Sequence, residues 1–434
     1  MPSLSSDADH KKSDIMIKNG KSFLSLIENR LPGFSGGRFS FYFATMMNKD
    51  EKYGLCALNR IFGFDPKTAH ALLASIGSAS EIFRLSEKEL DTILGPWSKY
   101  KGSINRRAFD NAAEELEKLS ENGICFIGYT ESAYPELLTE CEDAPMGLYI
   151  RSRTSPEELF RPSRRIAIVG TRDISQYGQE WCSRIVQGLG HTDEKPPIIS
   201  GLALGTDICA HREAIASGLP TIAVMATGPE AVYPHRHREF AERMAATEGC
   251  ALITDYPPGT APLAIHFLRR NRIIAGMSDA TILIESRVKG GGMMTSRLAF
   301  SYNRDVYALP GRIDDVRSQG CNYLLKEKVA DAIYSVEGLI ESLGMIPGKA
   351  RPQISDADFI TETFGSKTSQ ELIPELTDLF AIIKKHRGLS LDDLCVMTCS
   401  SYSRISRLAG MLEMEGLITI DLLQRCNVSP RISR

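Results

Sequence analysis

The sequence contains neither the GxGxxG fingerprint of a dinucleotide fold nor the GxxxxGK[ST] of a P-loop, so neither kind of nucleotide site is supported. It has ten cysteines, but no pair has the CxxC spacing of a zinc or redox centre. Cys395 and Cys399 stand one helical turn apart with no His or Cys cluster beside them. The expectation is reduced, mostly buried thiols in a cytoplasmic protein. No apolar run approaches the roughly 20 residues that a membrane span needs. The opening MPSLSSDADHKKSD lacks the apolar centre of a signal peptide. Excess charge is missing too: 51 Lys and Arg face 54 Asp and Glu. That excludes a uniformly basic coat and leaves room for a local basic face.

What is present changes character along the chain. Residues 1–50 are read as an extension, polar and without order over 1–15. From Leu55, short helical segments broken at Gly63, Pro66 and Gly77 predict a small helical domain of the sterile-alpha-motif or helix-hairpin-helix kind, with its connector, over residues 51–150. From Arg164 the rhythm becomes strand and helix in turn: RRIAIVG, PPIISG, TIAVMATG, CALITDY, ATILIES and DVYALPG, with helices between. Apolar strands alternating with helices predict a Rossmann-like, doubly wound, mostly parallel sheet over residues 151–345. A polar linker is expected over residues 346–370. Over residues 371–434, Leu391, Leu394 and Met397, then Ile405, Leu408 and Leu412, then LITIDLL predict a winged helix.

In an open parallel sheet ligands sit beyond the carboxyl ends of the strands. Three predicted strand-to-helix loops carry suitable residues there. They are Gly170-Thr171-Arg172, then Ser200 and Gly201 running to Gly205 and Thr206, then Lys289 with Gly290, Gly291 and Gly292 before Thr295. A helix start offers unpaired N–H groups and partial positive charge. Glycine admits an anion to the backbone, hydroxyls add donors, and arginine grips phosphate in a fork. One such loop can be turn geometry alone; several on one edge predict an anion site. FLRRNRIIAGMS adds Phe267, Arg269, Arg270, Asn271 and Arg272. A run of cations on a helix is commonly a solvated face and Phe267 commonly core. An aromatic set among guanidinium groups with few acids nearby also suits a nucleic acid strand. His235 and His237 in YPHRHREF have no third ligand in the sequence, and His211 in CAHREA reads as a hydrogen-bonding core residue. No metal or cofactor is expected.

These stretches resemble the DNA-processing protein A (DprA/Smf) family. The resemblance rests on IAIVGTR, SGLALGTDICAH, GPEAVYP, FLRRNRIIAGMS, DVYALPG and RSQGCNYLL, with YPELL and DAPMGLY ahead of them, and covers about Leu55 to Glu341. It implies a homodimer without catalytic activity that binds single-stranded DNA in natural transformation, protects it and helps to load a RecA-type recombinase. It further implies that Gly170, Thr171 and Arg172 hold a phosphate, that Phe267 meets a base, that Arg270, Asn271 and Arg272 line a groove, and that Gly290–Gly292 with Thr295 cradle another phosphate. The dimer face is looked for near Leu324 and Leu325. Departures are Gly290-Gly291-Gly292 where Ser-Gly-Ser is usual, His237 where asparagine is common, and Leu268 where proline is frequent.

Two other readings compete. One is a nucleotide phosphoribohydrolase of the lysine-decarboxylase-like kind. Leu298 stands three places after Thr295, where that family's PGGxGTxxE loop has its glutamate, which argues against hydrolysis. The other is a winged-helix transcriptional regulator, whose recognition segment offers only Arg404 and Arg407 as evident phosphate contacts.

Overall fold

The computed structural model describes residues 37–161, 163–346, 356–365, 368, 372–386, 388–421 and 424–429, with backbone alone for residues 37–48. The expected disorder of residues 1–15 lies outside the described residues. The chain divides into two units, Met1–Glu51 and Lys52–Arg434. The first contributes the opening turns of α1 (Gly37–Phe62); the second holds the remaining described elements.

Four more helices follow α1: α2 (Pro66–Ile76), α3 (Ala79–Ile82), α4 (Glu87–Leu94) and α5 (Arg106–Glu121). The breaks fall where the sequence puts them. Asp65 caps α2 with Pro66 in the first turn, and Gly77, at φ +84°, ends it. Ser86 and Glu89 close a capping box on α4. Leu55, Leu58, Phe62, Leu72, Ile82 and Phe109 bury against Phe126 and Tyr149. Those two residues lie on β1 (Ile124–Gly128) and β2 (Gly147–Arg151), which pair antiparallel. Here the helical-domain expectation for residues 51–150 is corrected at its end: the connector forms two strands that extend the main sheet.

Short helices α6 (Glu136–Thr139) and α7 (Pro156–Leu159) flank β2. The winding then begins: β3 (Ile166–Val169), α8 (Gln176–Gly190), β4 (Ile198–Ser200), α9 (Thr206–Ala216), β5 (Thr221–Val224), α10 (Arg238–Ala245), β6 (Ala251–Thr254), α11 (Ala264–Gly276), β7 (Ala280–Leu283), α12 (Gly291–Ser301), β8 (Asp305–Ala308), α13 (Gln319–Lys326), β9 (Asp331–Ala332) and α14 (Val336–Ser342). The nine-stranded sheet runs β1-β2-β6-β5-β4-β3-β7-β8-β9, parallel from β6 to β9. Residues alternate between its faces as the two-residue strand period requires. Ala167 and Val169 join a core with Ile273 and Ile274 of α11 and Ala299 of α12. Ile166 and Ile168 join another with Ile185 and Val186 of α8 and Ala210 of α9. Helices α8, α9 and α10 cover one face and α11, α12 and α13 the other, with α14 returning to the face of α8, so the winding reverses between β3 and β7. A doubly wound sheet opens its ligand crevice at that place.

The polar linker expected over residues 346–370 is corrected in part. Helix α15 (Asp356–Phe364) lies inside it and buries Ile360 and Phe364 against Leu376, Leu379 and Phe380 of α16 (Ile373–Lys385). After it come β10 (Leu389–Ser390), α17 (Leu391–Thr398), α18 (Tyr402–Met414), β11 (Ile418–Ile420) and β12 (Arg425–Val428), the strands forming a small antiparallel sheet. No described helix is long and apolar enough to cross a membrane.

One junction ties the helical layer to the wound sheet. Asp255, just past β6, is buried and receives the guanidinium of Arg272 on α11, which also donates to the Asp143 carbonyl ahead of β2. Asn59 on α1 donates to the Asp255 carbonyl at 2.7 Å. Removing one member of a buried ion pair strands the other charge at a cost of about 3–5 kcal/mol. Asp255→Ala is therefore expected to lower the unfolding free energy by that amount in a urea titration; a loss under about 1 kcal/mol would deny the junction its role.

Candidate nucleic-acid interface

The loops after β3, β4 and β7 stand side by side at the reversal point. They are bound to one another before any ligand is considered. The Thr206 N–H donates to the Thr171 carbonyl at 3.1 Å, and the Thr206 hydroxyl reaches the same oxygen at 3.3 Å. A Cβ added at Gly292 would stand 3.2 Å from the Gly170 Cα, so the start of α12 rests on the end of β3. Glu285, buried just past β7, accepts from the Ser175 backbone N–H at 2.9 Å and from its hydroxyl. Ser175 in turn accepts from the Gly178 N–H at 3.1 Å and caps α8. Sequence reasoning missed Glu285; its signal was a lone carboxylate ending the apolar run ATILI.

Below this edge lies Arg270, only 3% exposed. One guanidinium nitrogen donates to the Val224 carbonyl at the end of β5. A Cβ at Gly201 would fall 1.9 Å from that guanidinium, so glycine is what lets Arg270 pass beneath the β4–α9 loop. Gly205, at φ +74°, supplies the left-handed turn into α9. Burial pushes the Asp207 carboxyl above its ordinary value, opposed first by Arg270 and then by the Ala203 N–H. Burial likewise lowers Arg270 to about 10, with Asp207 opposing. His211 completes the group. The Thr221 hydroxyl donates to the Ile198 carbonyl at 2.8 Å, so its oxygen accepts from His211 Nδ1 at 2.7 Å, and that nitrogen carries the hydrogen. Burial, then the Arg270 cation, pulls the imidazole down to about 3.

Several expected contacts are thereby corrected. Ser200 is buried and donates to the Ile168 carbonyl at 2.6 Å; Thr206 is spent on Thr171; Thr295 is buried and turned back on the Gly291 carbonyl at 3.3 Å. Gly201 is covered by Arg270. Hydroxyls and small residues after these strands close the loops instead of facing outward. The arginine cluster is corrected in the same way. Arg270, Asn271 and Arg272 are buried within the protein, because α11 packs this side on the sheet. Arg269 donates to the Gly63 and Phe64 carbonyls and lies 4.3 Å from the Phe64 ring centre. His237 is buried and its Nδ1 donates to the Leu202 carbonyl at 2.9 Å. Among the described residues no group of three potential ligands could hold a metal.

What faces outward is a smaller set. The Arg172 guanidinium stands 5.2 Å from the Phe267 ring centre, and Tyr233 meets that ring edge-on at 5.3 Å. Arg172 and Tyr233 are exposed and Phe267 is half-buried. Tyr233, inside the basic run YPHRHR, was not among the predicted site residues; an aromatic amid cations was the available signal. Helix α12 starts at Gly291 with no side chain capping it, so its first N–H groups remain open to an anion. Gly291 is exposed, and a Cβ there would meet nothing within 4 Å. Lys289 is exposed beside it, and Leu268, Val288 and Met294 line a shallow depression of about 470 Å³ along the same edge.

Residues 125–344 match the family described as DNA recombination-mediator protein A. The chain is 30% identical over 403 residues to Protein Smf of Synechocystis sp., covering 86% of this chain and 98% of the relative. It is 33% identical over 297 residues to DNA processing protein DprA of Bacillus subtilis, covering 67% of this chain and 93% of that one. The X-ray structure of DNA processing protein A from Streptococcus pneumoniae matches with a TM-score of 0.58 at 27% identity, over 67% of this chain and 97% of that chain.

Two outcomes follow from the buried group. Arg270→Ala removes the cation that opposes the burial of Asp207 and leaves the Val224 carbonyl without that donor, and a loss of about 1–3 kcal/mol in urea unfolding is expected; unchanged unfolding would show that the guanidinium is not needed. His211 binds a proton near pH 6.5 when unfolded but only near 3 when folded. The unfolded state therefore holds more protons between those values, and stability falls as pH drops through that window. The slope from His211 is at most about 1.4 kcal/mol per pH unit. Asp207, shifted upward, contributes with the opposite sign. Unfolding measured from pH 7 to 4.5 should thus be less acid-sensitive in His211→Gln than in the parent; equal sensitivity would place the imidazole in water.

Proposed function

The chain belongs to the DNA recombination-mediator protein A (DprA/Smf) family, and from that membership and the open sheet edge we propose that it binds single-stranded DNA at the β3/β7 reversal point as a recombination mediator. The observation that carries the reading is the stack of Arg172 on Phe267 with Tyr233 beyond it. An aromatic pair holding a guanidinium offers a face for a base and a fork for its phosphate. The uncapped start of α12, with Lys289 alongside, supplies a second phosphate position one loop away. Buried Arg270 and Arg272 act in this account by holding the loops in place, not by touching the strand.

Family membership also supports the wider role: protecting incoming DNA in transformation and helping to load a RecA-type recombinase. A second copy of the chain is the expected partner, with light scattering as its test. Helices α16–α18 with β10–β12 are read as a winged helix, and the helical layer α1–α5 as a sterile-alpha-motif-like domain. This reading assigns no catalytic residue; incubation with nucleotides and product analysis tests the hydrolase alternative.

Two substitutions separate phosphate from base contact. Each phosphate neutralised on a single strand contributes about −0.7 to the log–log salt slope. In fluorescence anisotropy with a labelled oligonucleotide, Arg172→Ala should weaken binding and flatten the slope by about that amount. Phe267→Ala should weaken binding by about 1–3 kcal/mol with the slope kept. If both variants bind like the parent, the strand does not lie here.

A further inference from the structure

Away from the sheet edge, the turn joining α4 to α5 displays a side chain that the fold does not use. Trp97 is 95% exposed and is one of only two tryptophans in the chain. Its neighbours account for the turn without it. Gly95, at φ +83°, ends α4; the Ser98 N–H donates to the Gly95 carbonyl and the Lys101 N–H to the Ser98 carbonyl, both at 3.3 Å. Tyr100 is the anchor. Its ring lies 4.4 Å from that of Phe62 and its hydroxyl donates to Asp65 at 3.2 Å. A turn fixed by Tyr100 holds the Trp97 indole out in water, beside a depression of about 380 Å³ lined by Thr68, Leu94 and Tyr100. Indoles are large apolar groups that normally bury 150–250 Å²; one held open in water presents a flat face on which a base can stack.

Charge says what kind. Between Gly95 and Arg107 the sequence holds Lys99, Lys101, Arg106 and Arg107 and no acidic residue. Lys101 meets Asp91 on α4, and Arg106 meets Asp110 at 2.9 Å, but Arg106 and Asp110 are exposed and such pairs are worth about 0–1 kcal/mol. A phosphate can take over such a cation at little cost. The layer that carries this turn is joined to the sheet edge through Phe64, whose ring lies under Arg269 of α11.

We propose that Trp97 with Lys99, Arg106 and Arg107 forms a second single-stranded nucleic-acid contact, a base stacking on the indole and phosphates meeting the cations. It deepens the proposed function, on whose DNA reading it rests: a strand held at the sheet edge is long enough to be held again by the helical layer.

The test uses the full chain carrying Trp181→Phe, which leaves Trp97 as the sole tryptophan. Oligothymidylate is titrated while tryptophan emission and the anisotropy of a labelled strand are followed together. Quenching of Trp97 that saturates with binding and weakens with salt is expected. Adding Arg106→Glu and Arg107→Glu should reduce affinity several-fold for a long oligomer and leave a short one, of about 6 nucleotides, unaffected. Unchanged emission while anisotropy reports binding would overturn this contact and leave the sheet-edge reading standing. Equal quenching by polyglutamate would overturn it in favour of an acidic polypeptide. Quenching that persists with Arg172→Ala and Phe267→Ala both present would support this contact even if the sheet-edge reading fails.

Discussion

The open edge of this protein depends on a guanidinium that never reaches the surface. Arg270 fills the space beneath the β4–α9 loop, donates to the end of β5 and faces Asp207 at the start of α9. Its desolvation is unfavourable by itself, and the nearby carboxylate and carbonyl offset it. Once it is there, several neighbours lose their freedom. Gly201 must lack a side chain, His211 must stay neutral, and the loop must close over the cation with its hydroxyls turned inward. A rigid floor results, and the few groups that do face outward are positioned by it.

The same economy runs along the reversal point. Glu285 pins the start of α8, Thr206 pins the loop after β3, and α12 rests on Gly170. With those bonds made inside the protein, what remains unspent is the backbone start of α12 and the Arg172–Phe267–Tyr233 stack. Rigid placement of a short list of groups suits a ligand with repeating phosphates and interchangeable flat bases, since neither requires a pocket shaped to one molecule. It also explains how a chain of net charge −3 can present a nucleic-acid edge: the field is local.

The positions of the wound strands and helices along the chain were legible because they rest on periodicity. The runs IAIV, TIAV and ATIL are buried along their whole length, as strands covered on both faces must be. β1 and β2 escaped because ICFIG and GLYIR are short and follow a helical layer, and their strand character comes from their pairing with each other and from that of β2 with β6. Helix α15 escaped because its polar composition resembles a linker, while two residues, Ile360 and Phe364, carry its burial. The site was legible at the level of loops and not of side chains. Spacing places Ser200 and Thr206 in loops at the carboxyl edge and Arg270 and Arg272 on the helix ahead of β7, but cannot say whether they face solvent or the sheet, because that turns on tertiary packing. Tyr233 and Glu285 complete the edge from segments distant in sequence, which no local pattern joins.

Amide hydrogen exchange, with and without a saturating single-stranded oligonucleotide, reads the edge directly. The account predicts new protection over residues 170–173 and 290–293 and around Tyr233 and Phe267, with the amides near Arg270 already slow in the free protein. Protection confined to residues 372–429, or none at the sheet edge while the strand is bound, would contradict it.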